Sequence, residues 1–319
     1  MTRTPGRLPR PALLRILGTG LSVALLIYLL ARQGWSEIVD AVSRIPPGHL
    51  AAFLGLVVIS RFAVAARWYS LLRSVDRTIS FGQSLRLTFA GLFAANFLPT
   101  SVGGDVVRLA GTLQLSKDRW GSAASIVADR IVGLAGMALA LPFGIQVLIA
   151  WLRTTPMAAS MWGSILGAAP AAAVLSGRWD DLRGRIGRMA GRAREAMVAW
   201  LGRPGPLLVA LGFTGLHMIC LFTAIRLLLA GMGEPMAFGP AAGLWSFSYF
   251  INLIPFSING WGLREVSVTF IYSEIGGISL HSALALALLL RSAELAASLP
   301  GALFVPAILS GPPAQAAES

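Results

Sequence analysis

Asn96, Ser101, Gly103, Gly104 and Arg108 fall in the segment Asn-Phe-Leu-Pro-Thr-Ser-Val-Gly-Gly-Asp-Val-Val-Arg. Asn252, Ser257, Asn259, Gly260, Gly262 and Arg264 fall in a second segment, Asn-Leu-Ile-Pro-Phe-Ser-Ile-Asn-Gly-Trp-Gly-Leu-Arg, displaced by 156 positions. A guanidinium pairs bidentately with phosphate or carboxylate. Amide and hydroxyl side chains complete a polar shell, and glycine allows close backbone approach. Pro99 and Pro255 cannot continue the helices they close, so the chain turns there. A half-helix restarting after each turn would aim free N–H groups and its positive dipole end at the same place. The chemistry these residues suit is recognition of an anion. The Asn, Ser and Gly residues would also serve as turn formers and caps.

The acids Asp105, Asp129, Glu265, Glu274 and Glu294 stand in or beside apolar segments, alongside Arg108, Arg130, Arg264 and Arg291. Charge inside a bilayer is costly, so these residues should pair or face a pathway. The local pairings expected are Asp105 with Arg108, Glu294 with Arg291, and Asp129 with a neighbouring Arg. Alternatively one carboxylate, Asp129 or Glu265, titrates and couples movement to protons. His49, His217 and His281 are scattered and Cys220 is the single cysteine, so no metal site, cofactor or intramolecular disulfide is expected. No Gly-x-x-x-x-Gly-Lys-Ser/Thr loop for ATP occurs.

The two segments agree at five of thirteen positions, where residue usage predicts about one chance identity. Further echoes are Arg67 with Arg226, and Arg130-x-x-x-Leu-Ala with Arg291-x-x-x-Leu-Ala. The chain reads as an internal duplication. Of its 319 residues 55% are hydrophobic and 13% charged, and the mean hydropathy is +0.71. Composition therefore specifies a single integral membrane domain over residues 1–319. The net charge of +12 resides in short loops and marks topology, so nucleic acid is not expected as a partner.

Full spans are expected near 13–31, 50–71, 121–151, 157–175, 206–231 and 281–310, the first an uncleaved span and not a removed leader. The stretches 82–115 and 238–278 are each two short spans or one re-entrant hairpin, and loop charge favours the hairpin. Arg3, Arg7 and Arg10 place the N-terminus in the cytoplasm, as does the Arg-dense loop 176–205 for itself. Repeat 1 (50–151) and repeat 2 (206–310) then have the same order and opposite orientation. The expected fold is an all-α polytopic bundle of two inverted-topology repeats, each with a re-entrant helical hairpin, an architecture used by transporters. Trp68, Trp120, Trp151, Trp245 and Trp261 are expected mostly as interfacial anchors.

Three ordered motifs, Asn96 to Arg108, Asp129-Arg130-x-x-Gly133-Leu134, and Pro255-x-Ser-x-Asn-Gly-Trp-Gly-Leu-Arg-Glu265, resemble the transmembrane region of lysylphosphatidylglycerol synthases and the wider flippase-like family. The resemblance runs over roughly residues 10 to 310. It implies movement of an anionic phospholipid or a polyprenyl-phosphate-linked headgroup between leaflets of a prokaryotic inner membrane. Only Gly311–Ser319 follows the last expected span, so the synthases' soluble aminoacyl-transfer domain, and lysyl transfer with it, is not expected here. Two other readings remain open: a membrane-embedded lipid-phosphate transferase using Asp105, Asp129 or Glu265, and a noncatalytic partner of a separate lipid-modifying enzyme.

Overall fold

The computed structural model describes residues 35–97, 103–116, 118–154, 204–253 and 262–309, with a few positions between 24 and 31. Most of the expected span 13–31 and of the loop 176–205, the whole expected span 157–175, and Pro99, Ser101, Pro255, Ser257, Asn259, Gly260 and Trp261 lie outside them. Among the described residues every regular element is helical.

Among the described residues four helices have membrane-spanning length: α2 (Pro47–Val75), α5 (Arg119–Thr154), α6 (Pro204–Gly231), and α9 (Leu280–Ser298) with the 3-10 turn Leu299–Leu303 that extends it. The shortest has 24 residues, about 36 Å at 1.5 Å per residue against a hydrocarbon core of about 30 Å. Their outer faces are rich in apolar side chains, and Leu139 on α5 is 74% exposed, as suits a lipid-facing position. The expected span 281–310 is corrected: it does not continue as one helix, because Pro300 lies in the 3-10 turn and the chain resumes as a separate short helix, α10 (Val305–Leu309), against the helix Gly103–Leu115. A further short helix, α1 (Trp35–Ser43), packs on α9 and was not anticipated.

Between the long helices stand two pairs of short ones. The first is α3 (Phe81–Phe97) with α4 (Gly103–Leu115). The second is α7 (Phe238–Asn252) with α8 (Leu263–Phe270), which runs on through the π-helical turn Ile271–Ile275. With 17, 13 and 15 residues, α3, α4 and α7 reach about 26, 20 and 23 Å, each short of the core thickness. Side-chain bonds tie the ends of each pair together. Ser116 Oγ donates to Asp76 Oδ2 at 2.6 Å across the mouth of α3–α4. The Ser279 backbone N–H donates to Glu234 Oε1 at 3.2 Å across the mouth of α7–α8.

The relative direction of the two mouths follows from α2 and α6. Ser60 on α2 meets His217 on α6, whereas Ser70, further along α2, donates to the Pro206 carbonyl, earlier on α6. The helices are antiparallel. The C-terminal end of α2, which leads into α3–α4, therefore lies beside the N-terminal end of α6, while α7–α8 begins from the opposite end of α6. The two mouths face opposite ends of the bundle.

Small residues bring these helices together, as packing in lipid requires. Ala63, Ala65, Ala90, Ala94, Ala128, Ala224, Ala241 and Ala283 are all buried. Larger side chains fill the remaining volume around Ile225, Leu228, Leu284 and Tyr272, whose hydroxyl donates to the Ala241 carbonyl at 2.8 Å.

Candidate functional site

Each short pair presents one Arg and one acid to the long helix that follows it, and that helix answers with one acid and one Arg. In the first half Arg108 Nη2 on α4 donates to Asp129 Oδ2 on α5 at 3.0 Å. The reverse bond is made by Arg130, whose Nε and Nη2 donate to the two oxygens of Asp105, both at 2.9 Å. In the second half Arg264 on α8 grips Glu294 on α9 through both terminal nitrogens, at 2.5 and 2.6 Å. Arg291 on α9 answers Glu265 on α8 at 3.4 Å. Asp105 precedes its Arg by three positions and Glu265 follows its Arg by one, a difference of four, so both acids occupy nearly the same helical face. Asp129 and Glu294 stand in the same relation to Arg130 and Arg291.

A third cation joins each set, and both come from α2. Arg67 Nε donates to Asp129 Oδ1 at 2.7 Å, and Arg61 Nη2 to Glu294 Oε1 at 3.3 Å. His217 on α6 is hydrogen-bonded at 2.7 Å to Ser60, the residue before Arg61 on α2. Two tryptophans support the paired arginines: the Arg108 guanidinium lies 4.0 Å from the Trp68 ring centroid and Arg264 5.4 Å from that of Trp245.

Several expectations change. Trp68 is 0% exposed and Trp245 is buried, so both are platforms under arginines and not interfacial anchors; Trp120, 87% exposed, keeps an anchor's position. The partners of Glu294 are Arg264 and Arg61, from other helices, and the nearby Arg291 reaches Glu265 and Asn96 Oδ1, the latter at 3.1 Å. Asp105 does meet Arg108, at 3.6 Å, but its closer partner is Arg130. Arg226, the sequence echo of Arg67, is exposed and donates to the Met236 carbonyl.

The glycines divide by role. Gly103 and Gly104 open α4 and are buried, and a Cβ on Gly104 would lie 2.5 Å from the Gly91 carbonyl oxygen, so Gly104 permits α3 and α4 to touch. Gly262, with φ of 77°, starts α8 in a conformation L side chains avoid. Asn96 and Asn252 end their helices unlike one another: Asn96 accepts from Arg291, while Asn252 Nδ2 donates back to the Ser248 carbonyl at 2.6 Å. Among the described residues Asn252 Oδ1, Glu265 Oε2, Trp245 Nε1 and Arg108 Nε are buried without a hydrogen-bond partner. Each is a buried polar group short of its usual hydrogen-bond partner.

Sequence reasoning overlooked Arg61, Arg67, Trp68, His217 and Trp245 as parts of the site. For Arg61 and His217 the available signal was an ionisable side chain well inside an expected span, which by itself indicates a pathway or a partner.

The profile of the lysylphosphatidylglycerol synthase TM region matches residues 15–301. The chain belongs to that family. Within this lysylphosphatidylglycerol synthase TM region the match runs through α1, both short pairs and all four long helices, so both charge sets lie inside the shared part. A comparison with curated proteins returns no match. Family and fold together make the chain a helical membrane protein tied to lipid metabolism or transport.

Proposed function

We infer that this member of the family is a flippase-like transporter that moves an anionic phospholipid or lipid-linked headgroup between leaflets of the inner membrane, with its N-terminus in the cytoplasm. The observation that carries the reading is the reciprocal Arg–acid pairing of each short helix pair with the long helix after it, joined through Arg61 and Arg67 of one helix. In this reading the short pairs are re-entrant hairpins, too short to cross and closed at their mouths by Ser116–Asp76 and Ser279–Glu234. Their mouths at opposite ends of the bundle support an inverted repeat.

A headgroup phosphate entering between the hairpins competes with Asp129 and Glu294 for Arg108 and Arg264. Each set holds three arginines against two carboxylates, so an entering phosphate monoanion offsets the surplus positive charge while Asp129 keeps Arg67 and Glu294 keeps Arg61. The acyl chains stay outside. An apolar cleft of about 430 Å³ between α5 and the second pair, walled by Leu148, Leu152, Phe247, Ile251 and Phe270, offers them a surface. The acids are spread along arginines and not gathered on one point, which favours a gate over a transferase centre.

The test is leaflet exchange of headgroup-labelled lipids in proteoliposomes containing wild type, Arg108→Ala or Arg264→Ala. The transporter reading requires exchange by wild type that folded variants lose. Absence of exchange for every lipid, with and without a proton gradient, would transfer the case to the enzyme or partner readings.

A further inference from the structure

Away from the charge sets, the C-terminal half of α2 and the N-terminal half of α6 enclose a groove of about 800 Å³, within the usual range of ligand pockets of about 300–1,000 Å³. Its length is chemically graded. At one end Ile59, Phe62 and Leu216 line it, 40 to 48% exposed, as lipid-facing side chains are, and Val209, 49% exposed, continues the apolar wall toward the other end. At the other end stand Arg73 and Arg77, both exposed, with the hydroxyls of Tyr69, Ser70 and Ser74 along the wall between.

Dimensions and charge together indicate the occupant. Phe62 precedes Arg73 by eleven residues of continuous helix, about 16 Å of rise. One leaflet of hydrocarbon is about 15 Å, half the core. The apolar part of the groove thus has the depth of one acyl layer, and the arginines stand where a headgroup would. Arg73 Nη1 donates to Tyr69 Oη at 2.8 Å with its guanidinium 5.7 Å from the ring centroid, so one of its five N–H groups is used within the helix. The nearest acid in sequence, Asp76, is turned to Thr78 and Ser116, which donate to its two oxygens. Among the described residues neither Arg73 nor Arg77 meets a carboxylate within ion-pair distance.

We propose that this groove is a binding site for one anionic phospholipid, its phosphate held by Arg73 and Arg77 and one acyl chain lying along Phe62, Val209 and Leu216. The site is separate from the Arg108 and Arg264 networks and does not depend on the transport reading. It holds a lipid from a single leaflet, at the closed mouth of the first short pair.

The full chain, purified in detergent, is incubated with phosphatidylglycerol and phosphatidylcholine of matched chains and the retained lipid is counted by native mass spectrometry. The expected result is a preference for phosphatidylglycerol that falls about ten-fold in Arg73→Ala/Arg77→Ala, two positions near the membrane surface. Arg44→Ala/Arg153→Ala, which removes two exposed arginines elsewhere, should keep it. Ala66→Trp, which fills the groove, should lower retention of both lipids. An unchanged preference in the Arg73/Arg77 variant overturns the site, as does displacement of the lipid by glycerol 3-phosphate alone, which would show an anion site without a place for chains. The readout is equilibrium binding, so loss of leaflet exchange with the preference intact counts against transport only.

Discussion

Arg61 and Arg67 stand six residues apart on one helix and hold two different acids, Glu294 at 3.3 Å and Asp129 at 2.7 Å. Six residues of α-helix turn the chain by about 240° and raise it about 9 Å, so the two side chains leave different faces at different depths. Helix α2 is thereby the common strut between the two charge sets. Whatever displaces α4 from Asp129, or α8 from Glu294, acts on the same rigid element.

Asp129 lies between Arg67 and Arg108 with both of its oxygens engaged. Asp129→Asn leaves two buried guanidinium groups facing a neutral amide, and we expect a loss of about 3–5 kcal/mol in stability. Adding Arg67→Met to Asp129→Asn should recover part of the loss, because it removes one uncompensated charge. Thermal unfolding of the three variants in one detergent checks the order; a double variant less stable than the single would contradict the pairing.

Glu294 has a bidentate partner in Arg264 and a single longer contact from Arg61. The geometry predicts unequal consequences. Arg264→Ala should cost about 3 kcal/mol or more and Arg61→Ala closer to 1 kcal/mol, since Glu294 keeps its stronger partner in the second case. Chemical unfolding curves of the two variants should separate clearly, and equal midpoints would show that the fork is not the dominant contact.

Two glycines predict opposite signs. A Cβ on Gly104 would press into the Gly91 backbone, whereas one on Gly55, on an exposed face of α2, meets nothing within 4 Å. Gly104→Ala should destabilise by about 1–3 kcal/mol through forced separation of α3 and α4. Gly55→Ala should be neutral or stabilising by up to about 1 kcal/mol, because alanine loses less backbone freedom in a helix. The melting temperatures of both single variants decide the matter.

Single cysteines on a Cys220→Ala background test the membrane sidedness of the mouths. Positions 77 and 119 flank α3–α4, and positions 234 and 279 flank α7–α8. Membrane-impermeant maleimide should label the first two only after the cytoplasmic face is opened and the second two in intact cells. If the two members of either pair label from opposite faces, that pair of short helices crosses the membrane.

Much of this protein was readable before any coordinates. Six apolar runs long enough to cross a bilayer, with two segments among them that end in Pro and resume through Gly, specify an all-helical membrane fold, because lipid tolerates few other backbones, and four of the six are long helices among the described residues. The duplicated Asn-to-Arg segment located α4 and α8 and both of their arginines. What local pattern could not specify was the choice of partners among like charges. Arg291 and Glu294 are one turn apart and suggest a pair in sequence, yet the packing of α2 and α8 on α9 delivers Arg61 and Arg264 to Glu294. Trp68 and Trp245 likewise suit an interface by composition, and only the crossing of helices places arginines over their rings. Hydropathy is a sum along one helix and determines which segments enter the membrane. Pairing depends on the rotation and depth of one helix against another, and in this chain those were decided by tertiary contacts between residues up to 233 positions apart, as Arg61 and Glu294 are.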